Sequence, residues 1–185
     1  MQVVRYLHGT WNYGITYGAS DQGLVGWTDS DFMGDVRDTR STTGMVFTLY
    51  GGAVSWQSRL QPTIARSTCE AEYMAANAGC LEAMWLRKLM SDLGHPHDGP
   101  VHISCDNMAT LALLLNTDMQ SSRIKHIDNR HHQCREQVEM GTVVYAHCAS
   151  KDNLADCLTK PLPRASLLVH TAAMGLAPLP LTAAP

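Results

Sequence analysis

The sequence STCEAEYMAA, residues 67–76, opens the longest helix that the chain predicts. Ser67 and Glu70 have the spacing of a capping box, in which each side chain accepts a hydrogen bond from a backbone N–H at the start of the helix. The helical pattern continues to Leu93 and stops before Gly94. The segments on either side of this helix predict the sheet on which it packs.

Five segments have the apolar, β-branched or aromatic character of strands. They span residues 24–29, 44–49, 53–58, 101–105 and 142–147. Gly51-Gly52 lies between the second and third segments and predicts an antiparallel hairpin. Further helices are expected at residues 109–115, 128–140 and 153–158. This order of elements predicts an α/β fold, with a mixed five-stranded sheet, one antiparallel hairpin and helices packed on both faces.

The composition predicts one soluble domain with a substantial core. The chain has 185 residues, of which 45% are hydrophobic, and a chain of about 150 residues buries roughly 70% of its unfolded surface. The formal charge of −3 argues against binding of nucleic acid through a bulk positive field. Six cysteines occur without a CxxC pair, which indicates reduced thiols rather than a disulfide framework. No apolar run approaches the ~20 residues that span a bilayer, so no membrane partner is expected.

Four acidic side chains lie at predicted strand ends or on predicted helix faces, far apart in the sequence: Asp29, Glu72, Asp106 and Asp156. If the fold gathers them, each carboxylate raises the pKa of the others, so the grouping favours a bound cation. Mg²⁺ prefers such oxygen ligands. Two Mg²⁺ ions about 3.5 to 4 Å apart can activate a water and stabilise the leaving oxygen in phosphodiester hydrolysis.

Two of these four positions have acidic neighbours that compete for the role. Asp31 lies on the same face of the predicted strand as Asp29, and Asp35 follows in the loop, so strand geometry leaves the choice open. Glu70 and Glu72 are separated by roughly 200° around the helix and cannot both face one site. Glu70 can serve in the capping box, whereas Glu72 shares its face with small residues that allow close packing on a sheet. These small residues are Ala75, Ala76, Gly79 and Ala83.

The other two positions have structural alternatives. Asp106 follows the apolar strand 101–105, at the carboxyl end where open α/β sheets bind ligands. It could instead cap the next helix, although Asn107 can do that. Asp156 could be a solvated residue in the first turn of a short helix, where the helix dipole favours an acid. The residues by themselves leave these alternatives open.

The sequence around the four acids carries a family resemblance. The segments read Trp27-Thr28-Asp29-Ser30-Asp31, Cys69-Glu70-Ala71-Glu72-Tyr73-Met74-Ala75-Ala76, Ser104-Cys105-Asp106-Asn107 and Asn153-Leu154-Ala155-Asp156-Cys157-Leu158-Thr159-Lys160-Pro161-Leu162. In this order they resemble the ribonuclease H domain of copia-type retrotransposon polyproteins, over most of the chain between Gly26 and Pro163. The resemblance implies a ribonuclease H-like fold and an endonuclease that hydrolyses the RNA strand of RNA·DNA hybrids. It also implies that the same four acids are the catalytic residues and hold two Mg²⁺ ions, for which Mn²⁺ can substitute: Asp29, Glu72, Asp106 and Asp156.

The resemblance also implies a context for the protein. Residues 1–20 look like the end of a reverse transcriptase, and residues 21–163 like the ribonuclease H domain. Residues 164–185 lack a clear pattern and are expected to be a poorly ordered tail. The implied partners are an RNA·DNA hybrid and the reverse transcriptase portion of the same polyprotein. The implied location is the cytoplasm, within retroelement particles, with the nucleus as the alternative.

Other functions and sites compete with this interpretation. The acidic net charge favours a non-catalytic, hybrid-binding or scaffolding remnant of a polyprotein. A DNA-cutting, integrase-like enzyme would share the fold and metal chemistry, but its signatures are not seen. His147 stands where many cellular ribonucleases H place a mobile histidine, yet it precedes a cysteine at a predicted strand end and receives no role. Several residues of zinc-ligand type lack the usual spacing of a zinc site: His126, His131, His132, Cys134, His147 and Cys148.

Four large apolar side chains are expected in the core rather than in a platform for stacking bases. They are Trp56, Met84, Trp85 and Leu89.

Overall fold

A computed structural model of the protein describes residues 2–34, 39–115 and 133–180. The strands are β1 (Tyr13–Ile15), β2 (Val25–Asp31), β3 (Thr42–Leu49), β4 (Gly52–Leu60), β5 (Val101–Cys105), β6 (Val143–His147) and β7 (Leu176–Pro178). Five of them form the main sheet in the order β4-β3-β2-β5-β6. β3 runs antiparallel to β2 and β4, whereas β5 is parallel to β2 and β6. The predicted α/β fold with a mixed five-stranded sheet and a hairpin is confirmed.

The helices are α1 (Gln2–Gly9), α2 (Thr68–Asp92), α3 (Met108–Leu115), α4 (Gln133–Glu139), α5 (Asp156–Thr159) and α6 (Arg164–Ala173). A single 3₁₀ turn, Ser150–Asp152, precedes α5. The helix expected at 128–140 begins at Gln133 within the described residues, and residues 128–132 lie outside them. None of the helices in the described ranges is long and apolar enough to cross a membrane.

The start of α2 follows the predicted cap in part. The Ser67 hydroxyl accepts a hydrogen bond of 3.1 Å from the Glu70 backbone N–H, as a capping box requires. The Glu70 carboxylate accepts instead from the backbone N–H of Arg66, one residue before the cap, at 2.9 Å. Glu70 therefore stabilises the helix start, and its side chain is engaged away from the acidic site.

Helices cover both faces of the main sheet. On one face α2 packs across β2 and β3, where Phe47, Tyr73 and Ile103 belong to one buried cluster. On the other face α5 packs on the same strands, where Val46 lies in a second cluster with Leu154. Phe47 and Val46 are neighbours in β3, and they point to opposite faces because side chains alternate along a strand.

Close packing of α2 on the sheet depends on its small residues. Ala75 and Ala76 are fully buried, as their position on the Glu72 face predicts. At Gly79 an added Cβ would lie 2.4 Å from the Cγ2 atom of Thr28 in β2. The helix can approach β2 this closely only because residue 79 has no side chain. That approach carries Glu72, about two turns earlier, to the carboxyl end of β2.

The two ends of the chain form a separate, two-stranded sheet. β1 pairs antiparallel with β7, and Ile15 lies opposite Leu176. The expectation of a poorly ordered tail is therefore wrong for residues 164–180, which contain α6 and β7; residues 181–185 lie outside the described part of the chain. A three-residue strand has no readable period, and its partner lies at the other end of the chain, so the sequence pattern does not reveal it. The division of the chain at residues 20 and 163 stays a prediction.

Three side chains expected in the core lie at the surface. Trp56, on the edge strand β4, is 58% exposed, Trp85 on α2 is 55% exposed, and Leu89 is also exposed. Trp85 follows the buried Ala83 by two residues, which is about 200° around the helix and away from the packed face. Met84 packs partly against the core, as expected.

Gly79→Ala should lower the free energy of unfolding by about 1 to 3 kcal/mol, because the added methyl group meets Thr28. Intrinsic helix propensity favours Ala over Gly by up to ~1 kcal/mol, so a net loss isolates the effect of packing. Gly9→Ala in α1 is the matched control, since an added Cβ there has no atom within 4 Å. Urea unfolding followed by circular dichroism measures both variants. A Gly79→Ala protein as stable as the Gly9→Ala protein would contradict the close approach.

Candidate metal centre

The two central parallel strands bring the first pair of acids together. β2 and β5 pair with Trp27 opposite Ser104, and the same register continued by two residues places Asp29 beside Asp106. Asp29 is 3% exposed, and its carboxylate accepts a hydrogen bond from the Thr159 hydroxyl. Asp106 is half-buried and is more exposed than Asp29. The carboxyl end of the sheet centre is therefore the base of the site.

A third carboxylate reaches this place from α2. Glu72 is 6% exposed, and its Oε1 accepts a hydrogen bond of 3.3 Å from the Ser30 backbone N–H. The other oxygen, Oε2, is buried and has no hydrogen-bond partner among the described residues. A buried carboxylate oxygen without a donor is costly. The unpartnered oxygen is therefore an independent sign that a cation or a proton belongs there.

The fourth carboxylate is positioned by a buried asparagine. Asn153 is fully buried; its side-chain amide donates to the Thr28 carbonyl at 3.0 Å and accepts from the Ala155 N–H at 3.2 Å. These two hydrogen bonds fix the start of α5 against β2. Asp156, the first residue of α5, is 6% exposed and lies near Asp29 as a result.

The four carboxylates lie in one site as two overlapping groups of side chains. One group contains oxygens of Asp29, Asp106 and Asp156, and the other contains oxygens of Glu72 and Asp106 with the sulfur of Cys105. Within each group the potential ligand atoms lie within 4.8 Å of one another. Asp106 belongs to both groups. The structure thus brings all four predicted residues together, and their role as metal ligands stays a prediction.

Burial and mutual repulsion raise the pKa of two of these carboxyls. Burial is the largest cause for Glu72, whose pKa rises to about 8 with further contributions from the charges of Asp29 and Asp106. Burial also raises the pKa of Asp29 to about 6; the Thr159 hydrogen bond opposes this shift and the charge of Asp156 adds to it. Without a cation, Glu72 therefore holds a proton at neutral pH.

Two further residues contact the acids and are not singled out by sequence reasoning. Thr159 binds Asp29, and the Lys160 ammonium lies 3.0 Å from a carboxylate oxygen of Asp156. Burial lowers the pKa of Lys160, but the hydrogen bond to Asp156 and the charge of Asp29 raise it overall. The spacing of four residues between Asp156 and Lys160 on a short helix is the signal that could have suggested the ion pair.

The structure tests two of the alternatives that the sequence leaves open, the cap of α3 and the role of Asp31. Asn107 caps α3, since its side-chain oxygen accepts a hydrogen bond of 2.9 Å from a backbone N–H in the first turn; this leaves the Asp106 carboxylate available. Asp31 belongs to neither group of metal-capable side chains among the described residues. Asp35 lies outside the described part of the chain.

The donor set fits a hard divalent cation. Mg²⁺ takes oxygen ligands and keeps several waters, and the site offers four carboxylates, one with an unpartnered oxygen and one half-exposed to solvent. Neither group contains a histidine, within the ranges that the structure describes, and His147 is exposed at the end of β6. His126, His131 and His132 lie outside those ranges.

The chain is similar to segments of long retroelement proteins. It is 41% identical over 162 residues to the retrovirus-related Pol polyprotein from transposon TNT 1-94 of Nicotiana tabacum, matching 88% of this chain and 12% of that protein. The chain is thus related to copia-type retrotransposon Pol polyproteins. It is 35% identical over 180 residues to the Pol polyprotein from transposon RE1 of Arabidopsis thaliana, matching 97% of this chain and again 12% of that protein. No protein-family model matches the chain.

Solved structures share its fold. LC11-RNase H1, isolated from compost by a metagenomic approach, has a TM-score of 0.55 and 15% sequence identity, covering 74% of this chain and 92% of that one. The same protein in complex with an RNA/DNA hybrid has a TM-score of 0.53 and 15% identity, covering 74% and 93%. At this identity the likeness shows the fold alone. The predicted ribonuclease H-like fold is confirmed.

The raised pKa values determine whether the stability of the metal-free protein rises or falls with pH. Asp29 and Glu72 have ordinary values of 3.8 and 4.5 and folded values of about 6 and 8, so the folded state binds more protons between these limits. The contribution of these two groups to the stability of the metal-free protein should be full below about pH 4 and should fall by a few kcal/mol, roughly, as the pH rises through 6 and 8. Thermal unfolding in a chelator measures this decline.

Added Mg²⁺ should raise the melting temperature more at pH 8 than at pH 5, because at pH 5 protons already occupy the carboxyls. Glu72→Gln should flatten the decline with pH, and Glu70→Gln, on the other side of α2, should leave it unchanged. An equal effect of Mg²⁺ at both pH values would argue against cation binding by these two acids.

Proposed function

We propose that this chain is a ribonuclease H, an endonuclease that hydrolyses the RNA strand of RNA·DNA hybrids during reverse transcription of a retroelement. The observation that carries the proposal is the membership of Asp106 in two adjacent groups of metal-capable side chains. A nuclease that uses two cations needs neighbouring positions of this kind. The relationship to retrotransposon Pol polyproteins supports the same reaction, because reverse transcription leaves RNA paired with DNA.

The four acids divide between two cation positions in this proposal. Asp29, Asp106 and Asp156 would hold one Mg²⁺, and Glu72 with Asp106 would hold the second; Mn²⁺ takes the same oxygen ligands. When bound, the two ions supply an activated water and stabilise the leaving 3′ oxygen. The chain itself supplies the carboxylates in fixed positions, and water is the nucleophile.

The surrounding groups keep the carboxylates oriented. The Ser150 hydroxyl donates to Asp106 at 2.5 Å, and the Thr159 hydroxyl donates to Asp29. Hydrogen bonds of this kind orient the carboxylates that would bind the cations. The side chain of Lys160 is 40% exposed, so its ammonium can balance Asp156 until the phosphate arrives and can then turn toward the phosphate.

A groove of about 800 Å³ offers a place for the hybrid, although none of the four acids lines it. It lies between β4 and α2, and one of its lining residues, Thr43, pairs with Ser30 directly beside the site. Arg40 and Arg59 also line it. Local cations of this kind bind phosphates without a positive net charge on the whole chain. Contacts to 2′-hydroxyls in the wide minor groove would make recognition largely independent of sequence.

The proposal extends to the context of the chain. Its relatives are Pol polyproteins, of which it matches 12% of the length. We infer that residues 1–20 are the end of a reverse transcriptase, that residues 21–163 are the ribonuclease H domain, and that the reverse transcriptase portion is a partner. The site of action is then the cytoplasm, within retroelement particles, with the nucleus as the alternative.

Asp106→Asn should reduce Mg²⁺-dependent cleavage of a labelled hybrid by at least about a hundredfold, because one residue serves both cation positions. Asp92→Asn is the matched control: Asp92 is exposed and pairs with Lys88 at the far end of α2, so cleavage should be unchanged. Equal cutting by Asp106→Asn and the wild type would refute the assignment. A wild type that binds the hybrid but cuts it with neither Mg²⁺ nor Mn²⁺ would favour the non-catalytic remnant.

Arg59→Ala should weaken hybrid binding and should reduce the slope of log affinity against log salt by about 1, as expected for one lost phosphate contact. Lys88→Ala removes an exposed charge that does not line the groove and is the control. Fluorescence anisotropy in a chelator, at several salt concentrations, measures both slopes without cleavage. Identical slopes for the two variants would remove the groove from the binding surface.

A further inference from the structure

Cys105 lies beside two of the proposed magnesium ligands. Its side chain is fully buried at the end of β5, and its sulfur lies within 4.8 Å of carboxylate oxygens of both Glu72 and Asp106. Sulfur is a soft ligand and Mg²⁺ is a hard ion, so Cys105 adds nothing to magnesium binding. It does add a ligand for a cation that accepts both sulfur and oxygen.

We propose that Glu72, Cys105 and Asp106 form a mixed sulfur and oxygen site that binds a thiophilic divalent cation, of the Zn²⁺ or Cd²⁺ class, in preference to Mg²⁺. Zinc in catalytic sites has three protein ligands and an open fourth position, unlike the closed four-ligand structural sites. An ion held here fills the second of the two cation positions. Its consequence, inhibition of magnesium-dependent hydrolysis, rests on the proposed function, whereas the binding itself does not.

The dimensions of the group suit such an ion. Zinc bonds of about 2.3 Å to sulfur and about 2.0 to 2.2 Å to oxygen place tetrahedral ligand atoms about 3.5 Å apart. The limit of 4.8 Å between these atoms leaves a difference of at most about 1.3 Å, which side-chain rotations would have to close.

Glu72 supplies an independent sign of a missing partner. The residue is 6% exposed, and its Oε2 atom has no hydrogen-bond partner among the described residues. The sulfur must bind as a thiolate, so ligation releases the Cys105 proton to solvent. A divalent cation here therefore satisfies the buried oxygen and offsets two of the three negative charges that its ligands carry.

Cys148 provides an internal control. Its backbone N–H donates to the Cys105 carbonyl at 3.1 Å, so the two cysteines are neighbours. The Cys148 sulfur nevertheless belongs to neither group of metal-capable side chains within the described residues. If closeness to the acids were enough for a thiol to bind metal, Cys148 would bind as readily as Cys105. The two cysteines therefore separate a three-ligand site from a nearby thiol.

Titration of the full chain with Cd²⁺ tests the site through the ultraviolet sulfur-to-cadmium charge-transfer absorption. The wild type should give a band that saturates at one ion per chain, and a large excess of Mg²⁺ should leave the band in place. Cys105→Ser should abolish the band and Cys148→Ser should keep it. Glu72→Gln should keep the band but weaken Cd²⁺ binding by at least about tenfold, since even the loss of outer-shell partners costs about 10- to 100-fold.

Several results would overturn the proposal: no band in the wild type, a band that survives Cys105→Ser, or a band lost in Cys148→Ser alone. A Cd²⁺ affinity that Glu72→Gln leaves unchanged would mark a single thiol instead of a three-ligand site. Because Cys105 is fully buried, circular dichroism checks the fold of its variant. Proton release from the wild type during the titration is a readout that needs no variant, and its absence would also count against the site.

The outcome is separable from that of the proposed function. A chain that binds Cd²⁺ as described but never cuts a hybrid would overturn the nuclease and keep the site. A chain that cuts with Mg²⁺ but shows no charge-transfer band would overturn the site and keep the nuclease.

Discussion

Mutual repulsion among four neighbouring carboxylates, three of them less than a tenth exposed, is the constraint on which the rest of this structure depends. Removing a carboxylate from water and placing it beside like charges disfavours its ionised form, and the pKa of about 8 at Glu72 is the result. Such a cluster persists only if packing elsewhere is strong enough to hold it. The fold achieves this by carrying the four acids on four separate elements, namely β2, α2, the end of β5 and α5.

The two helices that carry an acid are pressed against the sheet at glycine positions. Gly79 lets α2 approach β2 at Thr28. On the other face, an added Cβ at Gly44 in β3 would lie 2.6 Å from the Cγ2 atom of Thr159, so α5 approaches β3 in the same way. Asn153 then ties the start of α5 to β2. The site is therefore compressed from both faces, which opposes the separation that repulsion among the acids would otherwise cause.

The sequence predicts the parts of this arrangement that local chemistry decides. The residues of β5 are predicted without error, and the predicted α2, 67–93, differs from the observed helix by one residue at each end, because caps and glycine stops are local signals. Helical rotation alone separates Glu72 from Glu70. What the sequence does not reveal depends on distant partners. β1 becomes a strand only through β7, and Lys160 reaches the acids only because Asn153 docks α5. Trp85 is expected in the core because it is large and apolar, but its position around α2 leaves it 55% exposed.

The two groups of side chains that share Asp106 differ in what a cation must displace. The α5 flank is the group Asp29, Asp106 and Asp156, and the α2 flank is the group Glu72, Cys105 and Asp106. On the α5 flank, Lys160 already supplies a positive charge to Asp156, so a cation there competes with an ammonium group that can turn into solvent. On the α2 flank, Glu72 is protonated at neutral pH and its neighbour is the Cys105 thiol, so a cation there competes with protons. Exchange with an ammonium responds weakly to pH near neutrality, whereas exchange with a carboxyl of pKa about 8 responds strongly. In the proposed two-cation site, the α5 flank would therefore fill first as the pH rises, and occupancy of the α2 flank would set the pH at which the site is complete.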